Sequence, residues 1–435
     1  MIVRNVDAVI LVEKAARELD VACLIKLLAR KKYGLEVEII QQNCQYALAF
    51  KTLKPKVVFL PFCYQERSNK WFFLRWPKAI YFNLTYEQFF YPGNSIAKTP
   101  RGSFAINKVL HHSWSKMYAN KLKAIGVPAD HIYLNGNPFY QLYQKPYREF
   151  FPTRAELAEK NRLDPGKRWV FFPENYNWAF YGEDMLQQMV RDGQSPDQVR
   201  EMREFATKSF EAAMRWCRDL VEDPSIELIL RPRPSTAGNE FVERVRMLLG
   251  KVPPNFHMNQ SGTVREWILA SQAVISSYST CLIEASLANK TIYMVEPFPL
   301  LDNLKVDWHR YAPVLRDRNS FLNSLTGENL ETNWGHLEQW ARDTILSKGD
   351  PIRNLVDLLN DLLKGRVKAA PRYRWRELFP PPEPYLSALK NYLRHWLSVR
   401  RSRKAYNGEV PMEYKADMEE IGRIPEKLAR WDEFV

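Results

Sequence analysis

The feature that most constrains this chain is an alternation of short apolar runs with segments of helical period, present before residue 143 and again after residue 168. Asp7 to Val12 reads as a buried strand. Ala16 to Lys32 reads as a helix with Leu19, Ala22, Cys23, Leu27 and Leu28 on its apolar side, and Val37 to Ile40 as the next strand. Tyr33 and Gly34 close that helix. Val57 to Leu60, Ala79 to Phe82 and His131 to Leu134 are further strands, with a helix over Ser113 to Ile125. Strands that alternate with helices imply a parallel sheet.

Prolines and charges crowd residues 143–168, and the alternation then restarts. Strands are predicted at Trp169 to Phe172, Glu227 to Leu230, Ala273 to Ser276 and Thr291 to Val295. Helices are predicted over about 196–221, Glu240 to Leu249, Val264 to Ala270 and Cys281 to Asn289. The expected fold class is α/β, doubly wound. It comprises a Rossmann-like domain over 1–150, a second over 165–365 and a basic helical tail over 366–435, with a ligand cleft between the domains.

The 435 residues, 46% of them hydrophobic, suffice for two cores and exclude a disordered chain. Five cysteines lie far apart with no CxxC pair, so neither a disulfide framework nor a zinc site is expected. The opening MIVRNVDAVILVE has an apolar run of only five residues, and no stretch approaches the ~18 apolar residues of a membrane span. The expected location is cytoplasmic, with reduced thiols.

The net charge of +13 is uneven. Residues 364–404 hold 12 Lys and Arg against 2 Glu, and residues 405–435 hold 4 against 8. Over Tyr385 to Lys404, Leu386, Leu389, Leu393, Trp396 and Leu397 recur at helical spacing among Lys390, Arg394, Arg400, Arg401, Arg403 and Lys404. Such a helix suits an anionic membrane surface, placing the protein peripherally on the inner face of the cell membrane, or packs back across the domains.

There is no GxGxxG, GxxxxGK, HExxH, GxSxG or DxD, which argues against dinucleotide oxidoreductases, P-loop enzymes, zincins, hydrolases and DxD metal-dependent transferases. No cofactor and no metal is implied. The most informative stretch is AVISSYSTCLIEASLANKTIYMVEP, residues 273–297. A strand that turns into a helix through Ser276, Ser277, Ser279 and Thr280 offers hydroxyls and backbone N–H groups to a phosphate. Glu284, one turn later, suits ribose hydroxyls. In LILRPRPS, Arg231 and Arg233 leave a strand two residues apart and are expected to point the same way, as a clamp on a phosphate or carboxylate.

In the first half, Glu13 follows the first strand, where open α/β sheets bind ligands, and is positioned as a general base. Asp20 and Arg17 are second candidates, with Asp20 catalytic and Arg17 on the acceptor. Asn83 to Gln88 likewise follows a strand and supplies Glu87, a further catalytic candidate, and Gln88, an acceptor contact. His111 and His112 form the one adjacent histidine pair, and His112 is a candidate acceptor contact.

Taken in order, Glu13 and ARELD, the run GVPADHIYLNGNPFYQLY, WVFFPEN at 169–175, LILRPRP and SSYSTCLIEASLANKTIYMVEP resemble GT-B glycosyltransferases. Within these the likeness is to bacterial surface-carbohydrate and capsule transferases related to the Kdo transferases. The resemblance spans about residues 1–300. It implies two Rossmann-like domains facing each other across a cleft, an acceptor-binding first domain and a nucleotide-sugar-binding second one. It further implies that Glu13 is the catalytic base and that Asn137, Glu174, Asn175, Arg231, Arg233, Ser276, Ser277, Ser279, Thr280 and Glu284 hold the donor. The implied activity is metal-independent transfer from a nucleotide sugar, including a CMP-linked acidic sugar such as Kdo or another nonulosonate, to a surface polysaccharide or glycolipid. RPRP stands where a His-Pro pair is common in the Kdo enzymes, and the donor is therefore open.

Other readings remain: a polyol-phosphate transferase or a sugar-nucleotide epimerase of the same fold, and a membrane-docked scaffold without catalysis. The charge and 57 aromatic residues also admit a nucleic-acid binder, but concentration of the charge in one tail and the lack of an RNP motif argue against it.

Overall fold

Ala8 to Val12 have no solvent exposure because β1 (Arg4–Val12) pairs on both edges, in parallel, with β2 (Val37–Gln41) and β3 (Leu53–Leu60). Strands buried on both faces and both edges read as continuous apolar runs, which is why VDAVILV was legible as a strand. The computed structural model describes residues 3–89, 91–95, 98–233, 236, 238–346, 349–371 and 412–435, in two units.

The first unit comprises Met1–Phe90, Asn94–Gln141 and Thr344–Val435. Its sheet continues from β3 through β4 (Ile80–Asn83) and β5 (Leu110–Ser113) to β6 (Ile132–Leu134), in the order β2-β1-β3-β4-β5-β6, all parallel. The helix α1 (Ala15–Tyr33) ends at Gly34, whose φ of 67° supplies the left-handed closure that the sequence predicts. α1 is buried around most of its circumference, since helices Pro351–Leu363, Met412–Gly422 and Ile424–Asp432 pack on it as well. Ala15 N donates to Asp417 Oδ1 at 2.7 Å, and Tyr33 donates its hydroxyl to Asp357 at 2.8 Å. Residues 344–365, expected with the second domain, thus belong by contact to the first. The predicted basic helix over 385–404 lies outside the described residues.

The second unit, Tyr91–Gly93 with Leu142–Asp343, contains β7 (Arg168–Pro173), β8 (Ile226–Arg231), β9 (Phe256–Met258), β10 (Ala273–Ser276), β11 (Thr291–Val295) and β12 (Val314–Leu315). Their order is β12-β11-β10-β7-β8-β9, again parallel. Alternation along β7 sends Val170 and Phe172 to one face, where Phe210, Ala213, Met214 and Cys217 of the helix Pro196–Leu220 cover them. Trp169 and Phe171 face the other way, onto Trp267 of the helix Val264–Ala270, with ring centroids 6.1 and 6.3 Å apart.

Three strands escape the periodicity. β9 and β12 are too short to show one. β5 reads LHHS, and its two histidines mimic a polar loop; the helix expected from Ser113 begins only at Lys116.

Candidate functional site

In each sheet the strand order reverses at one place, and ligands bind open α/β sheets beyond the carboxyl ends of the strands there. In the second unit that place lies between β7 and β10. Glu174 and Asn175 follow β7, Arg231 ends β8, Arg233 follows it, and Ser277 to Thr280 follow β10. The sequence-selected residues therefore gather at one end of one sheet.

Glu174 is buried. Its carboxylate accepts from the Tyr176 and Arg233 amides, the latter at 3.2 Å, and from the Thr236 hydroxyl at 2.9 Å. Burial raises its pKa while these donors pull it down. These bonds tie the end of β7 to the loop after β8. Arg231 gives its two amino groups to the carbonyls of Ser261 and Gly262, both at 2.8 Å, whereas Arg233 donates to Asn175 Oδ1 at 2.7 Å and Asn177 Oδ1 at 3.3 Å. The two side chains thus have separate protein partners. β8 stops at Arg231 and Pro232 turns the backbone, so strand alternation no longer relates the two arginines. Arg233 is exposed and stands beside Asn175 as the cation of this end.

The buried Ser276 hydroxyl donates to the Pro173 carbonyl at 2.6 Å and locks β10 to β7. Ser277 is buried beside the Tyr176 hydroxyl. Ser279 and Thr280 remain half-buried, and Ser279 accepts from the Cys281 amide at 3.3 Å at the start of the short helix Cys281–Leu287. Glu284, half-buried, accepts from the Tyr143 hydroxyl at 2.5 Å.

In the first unit the reversal lies between β1 and β3, and Glu13 sits at the end of β1. Arg17, one turn into α1, reaches Glu13 at 3.4 Å, Glu18 at 2.6 Å and Glu87 at 3.5 Å, and Lys98 also pairs with Glu87. Burial works against the Arg17 charge, but Glu18, Glu87 and Glu13 outweigh it and raise the pKa. Glu18 is the residue that the sequence reading passed over. It is fully buried, accepts from the Glu13 amide at 2.6 Å, and burial pushes its pKa from 4.5 up to about 7 against the pull of Arg17. Its place three residues after Ala15 and four before Ala22, both buried, was a legible sign of an inward-facing carboxylate.

Three other residues singled out in this unit, Asp20, Gln88 and His112, are buried, as is His111. Asp20 is buried and accepts from Lys427 at 3.0 Å. Gln88 is buried between strand ends, donating to the His112 carbonyl at 3.0 Å and accepting from the Trp114 amide at 2.8 Å. His112 has no exposure. Its Nδ1 lies 3.1 Å from the Leu84 carbonyl and its Nε2 3.2 Å from Asn135 Nδ2, and burial lowers its pKa to about 4, so it is a neutral core residue. His111 is built the same way on the Ala105 carbonyl and Asn83.

Asn137 caps the turn Pro138–Gln141, accepting from the Phe139 amide at 2.8 Å. The Asn-Gly-Asn run is a socket for the returning chain. Asn137 N donates to the Ile345 carbonyl at 2.7 Å, Asn135 Nδ2 to that of Pro351 at 2.9 Å, and a Cβ on Gly136 would lie 3.0 Å from both Ile345 O and the Pro351 ring.

The loop that carries Glu87 is strained. Thr85 holds a φ of 48°, rare for a β-branched residue, and is fixed by its backbone N–H, which donates to Asn83 Oδ1 at 3.1 Å. Among the described residues no three His, Cys, Asp or Glu side chains are grouped as a metal site requires, and no helix is long and apolar enough to cross a membrane.

No protein-family model and no curated protein matches the sequence. Solved structures do. The chain is similar to the wall teichoic acid polymerase TagF at 12% identity over 83% of this chain and 90% of that one, with a TM-score of 0.54. A TagF variant soaked with CDPG gives 11% identity, 84% and 91% coverage and 0.50. The S. aureus MnaA–UDP co-structure gives 10%, 85% and 99%, and 0.51. At these identities the likeness is one of fold, and with the two parallel six-stranded sheets it identifies the units as the two Rossmann-like domains of the GT-B fold.

Proposed function

We propose that this chain is a GT-B glycosyltransferase that moves a sugar from a nucleotide donor to a surface polysaccharide or lipid-linked glycan. The observation that carries the reading is the gathering of charged and hydroxyl side chains at the strand ends of each sheet's reversal point, on a fold shared with TagF. That one neighbour was solved with UDP and another after soaking with CDPG supports a nucleotide-linked donor.

In this reading Arg233, Asn175, Ser279, Thr280 and Glu284 hold the nucleotide, and the Arg233 cation offsets charge that develops on the departing phosphate. Glu13 accepts the proton of the acceptor hydroxyl as its oxygen attacks the anomeric carbon and the nucleotide leaves with the bonding electrons. Arg17 and Glu18 hold Glu13 in place. A CMP-linked acidic sugar loses part of its basis, because Arg231 is committed to backbone carbonyls. Peripheral attachment to the inner membrane face through 385–404 belongs to the same proposal and is tested by vesicle co-sedimentation of the full chain.

The testing experiment is a thermal-shift panel of CMP, CDP, UDP and GDP compounds, with and without EDTA. Stabilisation by one nucleotide family supports the reading and names the donor class; no shift with any overturns it. Polyol-phosphate transfer, favoured by the likeness to a teichoic acid polymerase, is separated by the mass added to the acceptor. An epimerase would alter the free nucleotide sugar with no acceptor present.

A further inference from the structure

Tyr143 and Gln144 run along the helix Cys281–Leu287 and bond to it at two points. The Tyr143 hydroxyl donates to Glu284 Oε2 at 2.5 Å, and Gln144 Nε2 donates to the Leu287 carbonyl at 2.9 Å. Tyr143 has no solvent exposure, and the buried Arg265 guanidinium lies over its ring, 5.5 Å from the centroid. Burial, and then the charge of Glu284, keep the phenol protonated, so it is a permanent donor. The last torsion of a glutamate is broad and nearly two-fold, and a fixed donor on one oxygen removes that freedom.

A carboxylate held still is what a diol needs. Two vicinal hydroxyls bond well to a carboxylate in one orientation, and a site built to accept from a hydroxyl discriminates against the analogue that lacks it. We propose that Tyr143 is a positioning residue that makes the second unit select ribonucleoside over 2′-deoxyribonucleoside diphosphates, by holding the Glu284 carboxylate in the orientation that accepts from a ribose. The inference rests on the nucleotide reading of Glu284.

The test is titration calorimetry of the full chain with UDP, CDP and GDP and their 2′-deoxy counterparts. Wild type is expected to bind at least one ribonucleotide more tightly than its deoxy form. Tyr143→Phe is expected to weaken that ribonucleotide about five- to tenfold and to leave the deoxy form unchanged, so that the preference collapses. Gln144→Ala loosens the same segment without touching Glu284 and must keep the preference, which separates positioning from general loosening. Should Tyr143→Phe fail to fold, Tyr143→Met, which keeps apolar bulk without the hydroxyl, must lose the same preference.

A preference that survives Tyr143→Phe, or equal losses for both sugars in Tyr143→Phe and Gln144→Ala, overturns the inference while leaving nucleotide binding intact. Wild type that binds no nucleotide overturns the functional reading, and this inference with it.

Discussion

Lys427, in the helix Ile424–Asp432, places its ammonium 3.0 Å from the carboxylate of Asp20 in the second turn of α1, with side-chain exposures of 14% and 4%. The pair joins the last helix to the helix that carries Arg17 and Glu18. Asp417 reinforces it by accepting from the Ala15 amide at the start of α1. The C-terminal helices therefore brace the helix that carries Arg17 and Glu18.

Removing the ammonium alone leaves a buried carboxylate without that partner. Lys427→Met is expected to cost about 3 kcal/mol in urea unfolding, and Lys427→Met with Asp20→Asn clearly less. Equal costs for the single and double variants would show that the pair is not coupled.

Gly136 has a φ of 107° and backbone and ring atoms 3.0 Å from where a Cβ would stand. Gly136→Ala should destabilise the protein by about 2 kcal/mol or more, from left-handed strain and from displacing the 345–351 segment. Glycines of positive φ with open surroundings, such as Gly126, supply the control, since substitution there carries the strain alone.

Glu18 binds its proton more tightly folded, at about 7, than unfolded, at 4.5. An acid whose folded pKa is raised makes the folded state the better proton binder between those values, so its contribution to stability falls as pH rises from about 4.5 to about 7 and stays low above. Melting of wild type against Glu18→Gln at pH 5 and pH 8 is the measurement. The variant should gain on wild type by an amount of order 3 kcal/mol between the two, and a difference that does not depend on pH would refute the assignment.

Arg233 and Arg231 should separate in their effects. Arg233→Ala is expected to weaken nucleotide binding by about 1.5–3 kcal/mol with little change in melting, because it removes an exposed charge. Arg231→Ala should lower the melting temperature first, because the Ser261 and Gly262 carbonyls lose their donors. The reverse pattern would restore Arg231 as the ligand-binding cation.

Glu13→Gln should abolish turnover and leave nucleotide binding nearly unchanged. Normal turnover in that variant would pass the proton to another group, with Glu87 next in line across Arg17.

Much of the fold was written in local pattern. Buried parallel strands such as Ala273 to Ser276 and Thr291 to Val295 announce themselves as apolar runs, and Gly34 marks the end of α1, because these signals depend only on neighbours in sequence. The positions of Glu13, Arg233 and Glu284 at strand ends and on the following helix were legible for the same reason. What each polar side chain does was not. Glu174, Gln88, His112 and Asn137 carry the residue types of a binding site, yet in the fold their polar atoms bind backbone groups or buried neighbours across distances no periodicity reports. The sequence determined where strands end and which polar residues follow them. Only the tertiary structure decided which of those charges, like Glu18 under Arg17 and Asp20 under Lys427, are already matched inside the protein, because that depends on partners brought together from as far as 407 residues away.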